Sequence, residues 1–224
     1  MKKRRTVLPP EERRQQLLDA ATWVFARRGY RHTGVSDIIA RASVARGTFY
    51  LYFESKHQIF LAVVSAFHDR VAEALEQMDA EALEQIEDAG EAARAEGTRA
   101  VIAASFKRWL EFFAAHRDAT TVVLREASSI DPRFEQGFLE LRQSALDAFA
   151  ARLRRLQALG LVNAVLSPEF VARLQLGMFD ELINTFVLRE TDADLGAVAE
   201  QLAAFMWDGI RRADLAPEAL SREP

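Results

Sequence analysis

The chain has 224 residues, half of them apolar, with no cysteine and a formal charge of −4. That length allows a sizeable core in one or two domains, and the lack of cysteine excludes disulfides, thiolate metal sites and cysteine nucleophiles. No window reaches the roughly 18 apolar residues of a membrane span. The basic start MKKRR runs into TVLPPEERRQQ rather than an apolar stretch, so neither a membrane anchor nor a signal peptide is expected, and a reducing cytoplasm is the expected location.

The small net charge conceals an asymmetry. Residues 1–56 hold 12 Lys/Arg against 5 Asp/Glu, and the remainder holds 17 against 28. A head of +7 on a body of −11 points to a polyanion met by the head alone. The runs rich in Ala, Leu, Glu and Arg predict an all-α protein.

A first helix is expected to start after Pro9-Pro10, with Glu11 and Glu12 favouring its positive end. Leu17, Leu18, Ala21, Val24 and Phe25 form its buried stripe. Gly29 can take the left-handed conformation that ends it, letting Tyr30 fold back on Phe25. Thr33 is the expected N-cap of a short second helix with Val35, Ile38, Ile39 and Ala42 on one face. A turn at Ala42-Ser43-Val44 leads to a third helix over residues 45–52. Ser55 and Gln58 then fit a capping box that opens a fourth helix, whose apolar stripe runs to about Leu75.

Residues 76–97 are acidic and free of aromatics, predicting a solvated helix end and a mobile connection. Thr98 is the expected cap of a helix bearing Phe106, Trp109, Leu110, Phe112 and Phe113. A shorter helix is expected over 118–128, and a long one from Asp131-Pro132 to Leu159. Gly160 should stop that one, with Leu161 folding onto Leu156. Ser167 and Pro168 open another helix as N-cap and N1, and the last runs from Asp194 to about Asp214. The total is about nine helices.

The run FARRGYRHTGVSDIIARASVARGTFYLYFESKHQIF resembles the DNA-binding domain of the tetracycline-repressor (TetR) family. The matching pattern is F…GY…T…V…IA…A.V..GT.Y.YF.SK, over roughly residues 14–60. The resemblance implies a bacterial transcription regulator, usually a repressor, that binds operator DNA as a homodimer and lets go on binding a small molecule. It implies an N-terminal helix-turn-helix domain over residues 1–56, with a disordered basic tip at 1–10. Residues 57–224 would then form the effector-binding and dimerisation domain, and the protein would sit at the bacterial nucleoid.

The chemistry of the head agrees. A recognition helix needs close approach, cations for phosphates and side chains that reach base edges. Gly47 allows the approach, and Arg46 can pair with a guanine edge or a phosphate. Thr48 and Leu51 can touch a thymine methyl, and the Tyr50 and Tyr52 hydroxyls suit phosphate oxygens. Thr33 and Lys56 fall at helix N-termini, where an anion is favoured. Leu51 could equally pack inward, whereas Phe49, Phe53 and Val44 read as core. Two positions depart from the family: Ser43 stands where a glycine is usual, and Ala45 where a polar cap is common. Operator preference therefore cannot be transferred from relatives.

Nothing supports catalysis. Glu54-x-x-His57 has the spacing of a di-iron ligand pair, but no second such pair exists among His32, His68 and His116. No H-E-x-x-H, glycine-rich phosphate loop or G-x-S-x-G elbow is present. A helical-bundle metalloenzyme is thus a remote alternative, and no cofactor or metal is expected. A DNA-binding or structural protein of the same fold without an effector is the nearer one.

In the body, LQLGMFDELINTFVL and the last helix carry apolar residues around most of their circumference. The resemblance implies that the final two long helices pair with those of a second copy. Leu174, Met178, Leu182, Phe186, Leu202, Phe205, Met206 and Ile210 are the candidates for that interface. Phe106, Trp109, Phe113, Phe138 and Phe179 can line an apolar effector pocket, with Arg125, Glu126 or Asn184 as polar anchors. Packed core is the other reading of those aromatics.

Overall fold

The computed structural model describes residues 8–87, 91–127 and 132–211; side chains are described throughout those ranges except at 78–87, 91–96, 126–127, 132–135 and 137. Among the described residues the fold is all-α, with nine α-helices. In chain order these are α1 (Pro10–Arg28), α2 (Val35–Ala42), α3 (Arg46–Tyr50), α4 (Lys56–Glu87), α5 (Glu91–Ala115), α6 (Arg117–Val122), α7 (Pro132–Ala158), α8 (Pro168–Leu182) and α9 (Leu195–Ile210). Two wider π-turns, Val123–Ala127 and Ile183–Val187, continue α6 and α8. Two compact units result, one of residues 1–70 and 118–138, the other of residues 71–117 and 139–224. The expected boundary after residue 56 falls at the first residue of α4, which runs from one unit into the other.

In the first unit, α1 starts with Pro10 at N1 and buries Leu17, Leu18, Ala21, Val24 and Phe25. Gly29 ends it at φ 74°, and its N–H donates to the Phe25 carbonyl at 2.8 Å. Tyr30 then returns onto Phe25, ring centres 5.9 Å apart, and both rings meet Phe60 of α4. On the other side of α1, Trp23 is flanked by the guanidinium groups of Arg27 at 4.3 Å and Arg41 at 4.5 Å. Arg27 continues to Asp118 at 2.8 Å, tying α1 to the second residue of α6. The exposed pair alone is worth little, but the cation–π contacts of two guanidinium groups with one indole add to it.

Thr33 does not cap α2. Its side chain is 3 % exposed, and its hydroxyl donates to the Gly29 carbonyl at 2.8 Å. Gly34 is the N-cap instead. Asp37 performs the stabilising half of a capping box, accepting from the Gly34 N–H at 2.8 Å and from Arg28 at 2.7 Å. These bonds, the Gly34 one foremost and then the Arg28 charge, hold the Asp37 carboxyl below its usual range.

In the second unit the core is built by α5, α7, α8 and α9, with α9 packed along α5. Phe179 of α8 meets Phe106 of α5 edge-on at 5.1 Å and stacks with Phe149 of α7 at 6.4 Å. α7 ends in a Schellman motif: Leu161 N–H donates to the Leu156 carbonyl and Gly160 N–H to Gln157, with Gly160 at φ 73°. Ser167 caps α8, accepting from the Phe170 N–H, with Pro168 at N1. Asp194 caps α9 by accepting from the N–H groups of Gly196 and Ala197.

Two expectations fail along α4 and α5. The acidic stretch 76–97 is helical on both sides of residues 88–90, since α4 extends to Glu87 and α5 starts at Glu91. Thr98 is consequently inside α5, 1 % exposed, and caps nothing. The sparse apolar pattern there obscured helices whose Ala, Glu and Arg content favours them intrinsically. Residues 1–7 of the basic tip and everything beyond 211 lie outside the described residues.

Candidate nucleic-acid interface

The turn between α2 and α3 is the local feature that creates this surface. Ser43 adopts the left-handed conformation at φ 54°, ψ 40°, and its N–H returns to the Ala40 carbonyl. Such a turn reverses α2 within three residues, so that Ala45 can start α3 in extended geometry. It is the one non-glycine residue at positive φ among the described residues. A side chain in that conformation costs about 1 kcal/mol, which the packing beneath must offset.

That packing comes from α3 and the turn after it. Phe49 and Phe53 are 0 % and 3 % exposed, with ring centres 6.1 Å apart. Burying one phenylalanine contributes about 1.5–3 kcal/mol. Because a helix turns about 100° per residue, the positions flanking Phe49 must face away from it. Arg46, Gly47, Tyr50 and Leu51 are exposed, and Thr48 and Tyr52 are half-buried. Leu51, which could have packed inward, is 81 % exposed.

Arg46 and Tyr50 sit one helical turn apart, with the guanidinium carbon 5.8 Å from the ring centre. Ring contact with Phe49 at 5.3 Å braces Tyr50 from below. A Cβ added at Gly47 would meet nothing within 4 Å, and its φ is not positive. No internal contact or backbone strain requires glycine there, although glycine in a helix costs up to about 1 kcal/mol against alanine. Only a surface arriving from outside benefits from the missing methylene.

Lys56, expected at this surface, is half-buried. Its Nζ donates to the Tyr30 carbonyl at 2.8 Å and lies 4.2 Å from the Tyr30 ring centre. Two further N–H bonds of the ammonium remain for other acceptors. Ser55 accepts from the Gln58 N–H at 3.1 Å, so α4 begins with the expected cap. Thr33, buried as described, stands apart from the exposed set. Among the described residues there is no cluster of His, Asp and Glu able to hold a metal ion. No described helix is long and apolar enough to cross a membrane.

The residues named for the body are distributed as follows. Phe106, Trp109, Phe113, Phe179 and Asn184 fall in the second unit, and Arg125 and Phe138 in the first. The Glu126 side chain lies outside the described residues. Phe106, Trp109 and Phe179 are buried, and Asn184 donates to the Asp180 carbonyl one turn earlier. Of the interface candidates, Leu202, Met206 and Ile210 are buried inside the unit. Leu174 and Phe205 are exposed at 52 % and 72 %, and Met178, Leu182 and Phe186 are half-buried. The sequence reading missed Phe170, 59 % exposed in the first turn of α8. It also missed Gln175, buried on the Val171–Gln175–Phe179 stripe, where i, i+4, i+8 spacing was the available signal.

A short exposed helix carrying a cation and hydroxyls, set by a tight turn against two others, is a DNA-binding helix-turn-helix head. Residues 17–63 match the model of the bacterial regulatory proteins of the tetR family. Those residues therefore form a TetR-type DNA-binding domain.

Similarity extends beyond the head. The fatty acid metabolism regulator protein of Bacillus subtilis (strain 168) is 27 % identical over 202 residues, which cover 87 % of this chain and 94 % of the relative. The crystal structure of the transcriptional regulator FadR from Bacillus subtilis in complex with stearoyl-CoA is 25 % identical, with a TM-score of 0.67. That match covers 88 % of this chain and 98 % of the other. The fatty acid degradation regulator FadR from Bacillus halodurans shares the fold with a TM-score of 0.70 at 21 % identity, covering 91 % and 98 %.

Proposed function

We propose that this chain is a cytoplasmic, nucleoid-associated repressor that binds a near-palindromic operator as a homodimer and releases it on binding a long-chain acyl effector. The observation that carries the DNA half is Gly47, exposed on α3 beside Arg46 with no internal reason to be glycine. Arg46, Thr48 and Leu51 read bases; Tyr50, Tyr52 and Lys56 hold phosphates.

Dimerisation rests on Phe170, Leu174 and Phe205, three large apolar side chains left exposed on α8 and α9. A two-fold pairing through these helices places two recognition helices about one DNA turn apart, hence the near-palindrome. The acyl class of effector comes from the Bacillus subtilis regulator whose complex holds stearoyl-CoA, and the aromatic core of the second unit suits such a chain. Release follows if the effector favours a conformation whose heads no longer fit adjacent major grooves. Tenfold release requires about 1.4 kcal/mol of coupling.

The test is selection of bound DNA from a random pool, followed by titration of the protein on the selected site with and without acyl-CoA esters. The expected result is a palindromic consensus, released by acyl-CoA and unaffected by free CoA. If each subunit meets three or four phosphates, log K should fall against log salt with a slope of roughly −5 to −7. A slope near −1 would contradict this use of the head.

A further inference from the structure

Among the buried side-chain nitrogens of the second unit that lack a hydrogen-bond partner is the amide of Gln175. Gln175 projects from α8 into a crevice of about 20 Å³ between α5, α7, α8 and α9. It is 6 % exposed, and its Nε2 has no hydrogen-bond partner. Around it stand Phe106, Phe149, Leu153, Val171 and Met206, whose side chains offer no oxygen acceptor. Arg152 lines the same crevice, its guanidinium carbon 5.2 Å from the centre of the Phe149 ring. A buried amide donor without an acceptor destabilises a fold, and an apolar residue of the same size would not. The amide therefore has a use that the packing alone does not supply.

We propose that Gln175 is the internal hydrogen-bond donor of an acyl-binding site, meeting the carbonyl oxygen of a fatty acyl thioester. The chain would part Phe106, Phe149 and Phe179, and the anionic end would stay on the Arg152 side. The existing crevice has room for about one water molecule, so the ligand must displace these rings. The helix that carries Gln175 continues directly into the wide turn Ile183–Val187, a local irregularity frequent at functional sites. The proposal rests on the acyl-effector reading above and adds the atom that recognises the acyl group.

The discriminating probe pair is stearoyl-CoA and its S-octadecyl thioether, which keeps chain and nucleotide but lacks the carbonyl. Full-length wild type should bind the thioester about tenfold more tightly than the thioether. Gln175→Leu, and the unbranched Gln175→Met should the first fold poorly, should bind both at the wild-type thioether affinity. Both unliganded variants should melt at or above the wild-type temperature. Variants that keep the tenfold preference overturn the role of Gln175. So do unliganded variants that both melt below wild type, since the amide would then hold a structural water. A wild type that binds both probes equally also overturns that role, while leaving the acyl effector standing. Binding of neither probe overturns both readings.

Discussion

Lys56 engages Tyr30 twice, through a 2.8 Å hydrogen bond to its carbonyl and by lying 4.2 Å from the centre of its ring. The first residue of α4 is thereby tied to the turn that follows α1. Lys56→Ala should cost the first unit about 1–2 kcal/mol, apart from any phosphate contact it loses. Urea denaturation without DNA measures this, and a midpoint equal to wild type would show that the tie carries no stability. The same measurement on Arg46→Ala should show no change, because Arg46 is exposed.

Gly47→Ala should separate folding from binding by moving them in opposite directions. The added methyl meets nothing in the protein, so stability should rise by about 0.5–1 kcal/mol. Operator affinity should fall at least tenfold through lost close approach. Unchanged affinity in a stabilised variant would remove α3 from the groove.

Ser43→Gly relieves the left-handed strain at φ 54°. The gain should be up to about 1 kcal/mol, diminished by the extra freedom glycine gives the unfolded chain. A shift of the denaturation midpoint downward would mean that the Ser43 side chain contributes more than its strain costs.

Adjacent residues of α9 should answer the same substitution differently. Phe205 is 72 % exposed and Met206 6 % exposed. Phe205→Asp should yield a folded monomer by light scattering, whereas Met206→Asp should fail to fold, since it buries an unpaired charge. A dimeric Phe205→Asp protein would place the interface elsewhere.

His68 supplies a pH signature. It is half-buried, with no partner for Nε2, and burial holds its pKa below the usual 6.5 despite the opposing charge of Asp69. Above 6.5 the imidazole is neutral in both states and stability does not depend on it. As pH falls from 6.5 towards the folded pKa, only the unfolded chain takes the proton, so stability declines. His68→Leu should flatten this part of the stability–pH curve below about pH 6.5. An unchanged curve would show that His68 protonates in the folded protein without penalty.

Several helix ends that are determined by a few neighbouring residues were legible in the sequence. Gly29 with Tyr30 and Phe25, Ser43, Gly160 with Leu161 and Leu156, and Ser167-Pro168 act as expected, and the last helix starts beside Asp194 as expected but ends at Ile210 rather than near Asp214. Thr33 and Thr98 misled because a threonine beside a helical pattern satisfies itself equally well inside a helix or turn, by bonding a carbonyl four residues back, as Thr33 does with Gly29. The inward face of α9 was not legible either. Apolar residues surround that helix, so periodicity alone could not separate Met206, which is buried, from Phe205, which is not. On α3 the division between Phe49 or Phe53 and Tyr50 was visible, since rings without hydroxyls alternate with a ring suited to an outward face, whereas Leu51 suited either face and only the structure shows it exposed.

The wide turn at Ile183–Val187 also governs how α8 can change length. Gln175, Phe179, Ile183 and Val187 recur every four residues and are all buried. In a uniform α-helix, fourfold spacing drifts about 40° per step, so the stripe would wander off the core by its last member. One loosened turn absorbs part of that drift and acts as a spare residue in the register. Deleting a single residue between 183 and 187 should therefore be tolerated by tightening that turn into ordinary helix. The same deletion earlier in α8, between Val171 and Phe179, would rotate everything downstream by about 100°.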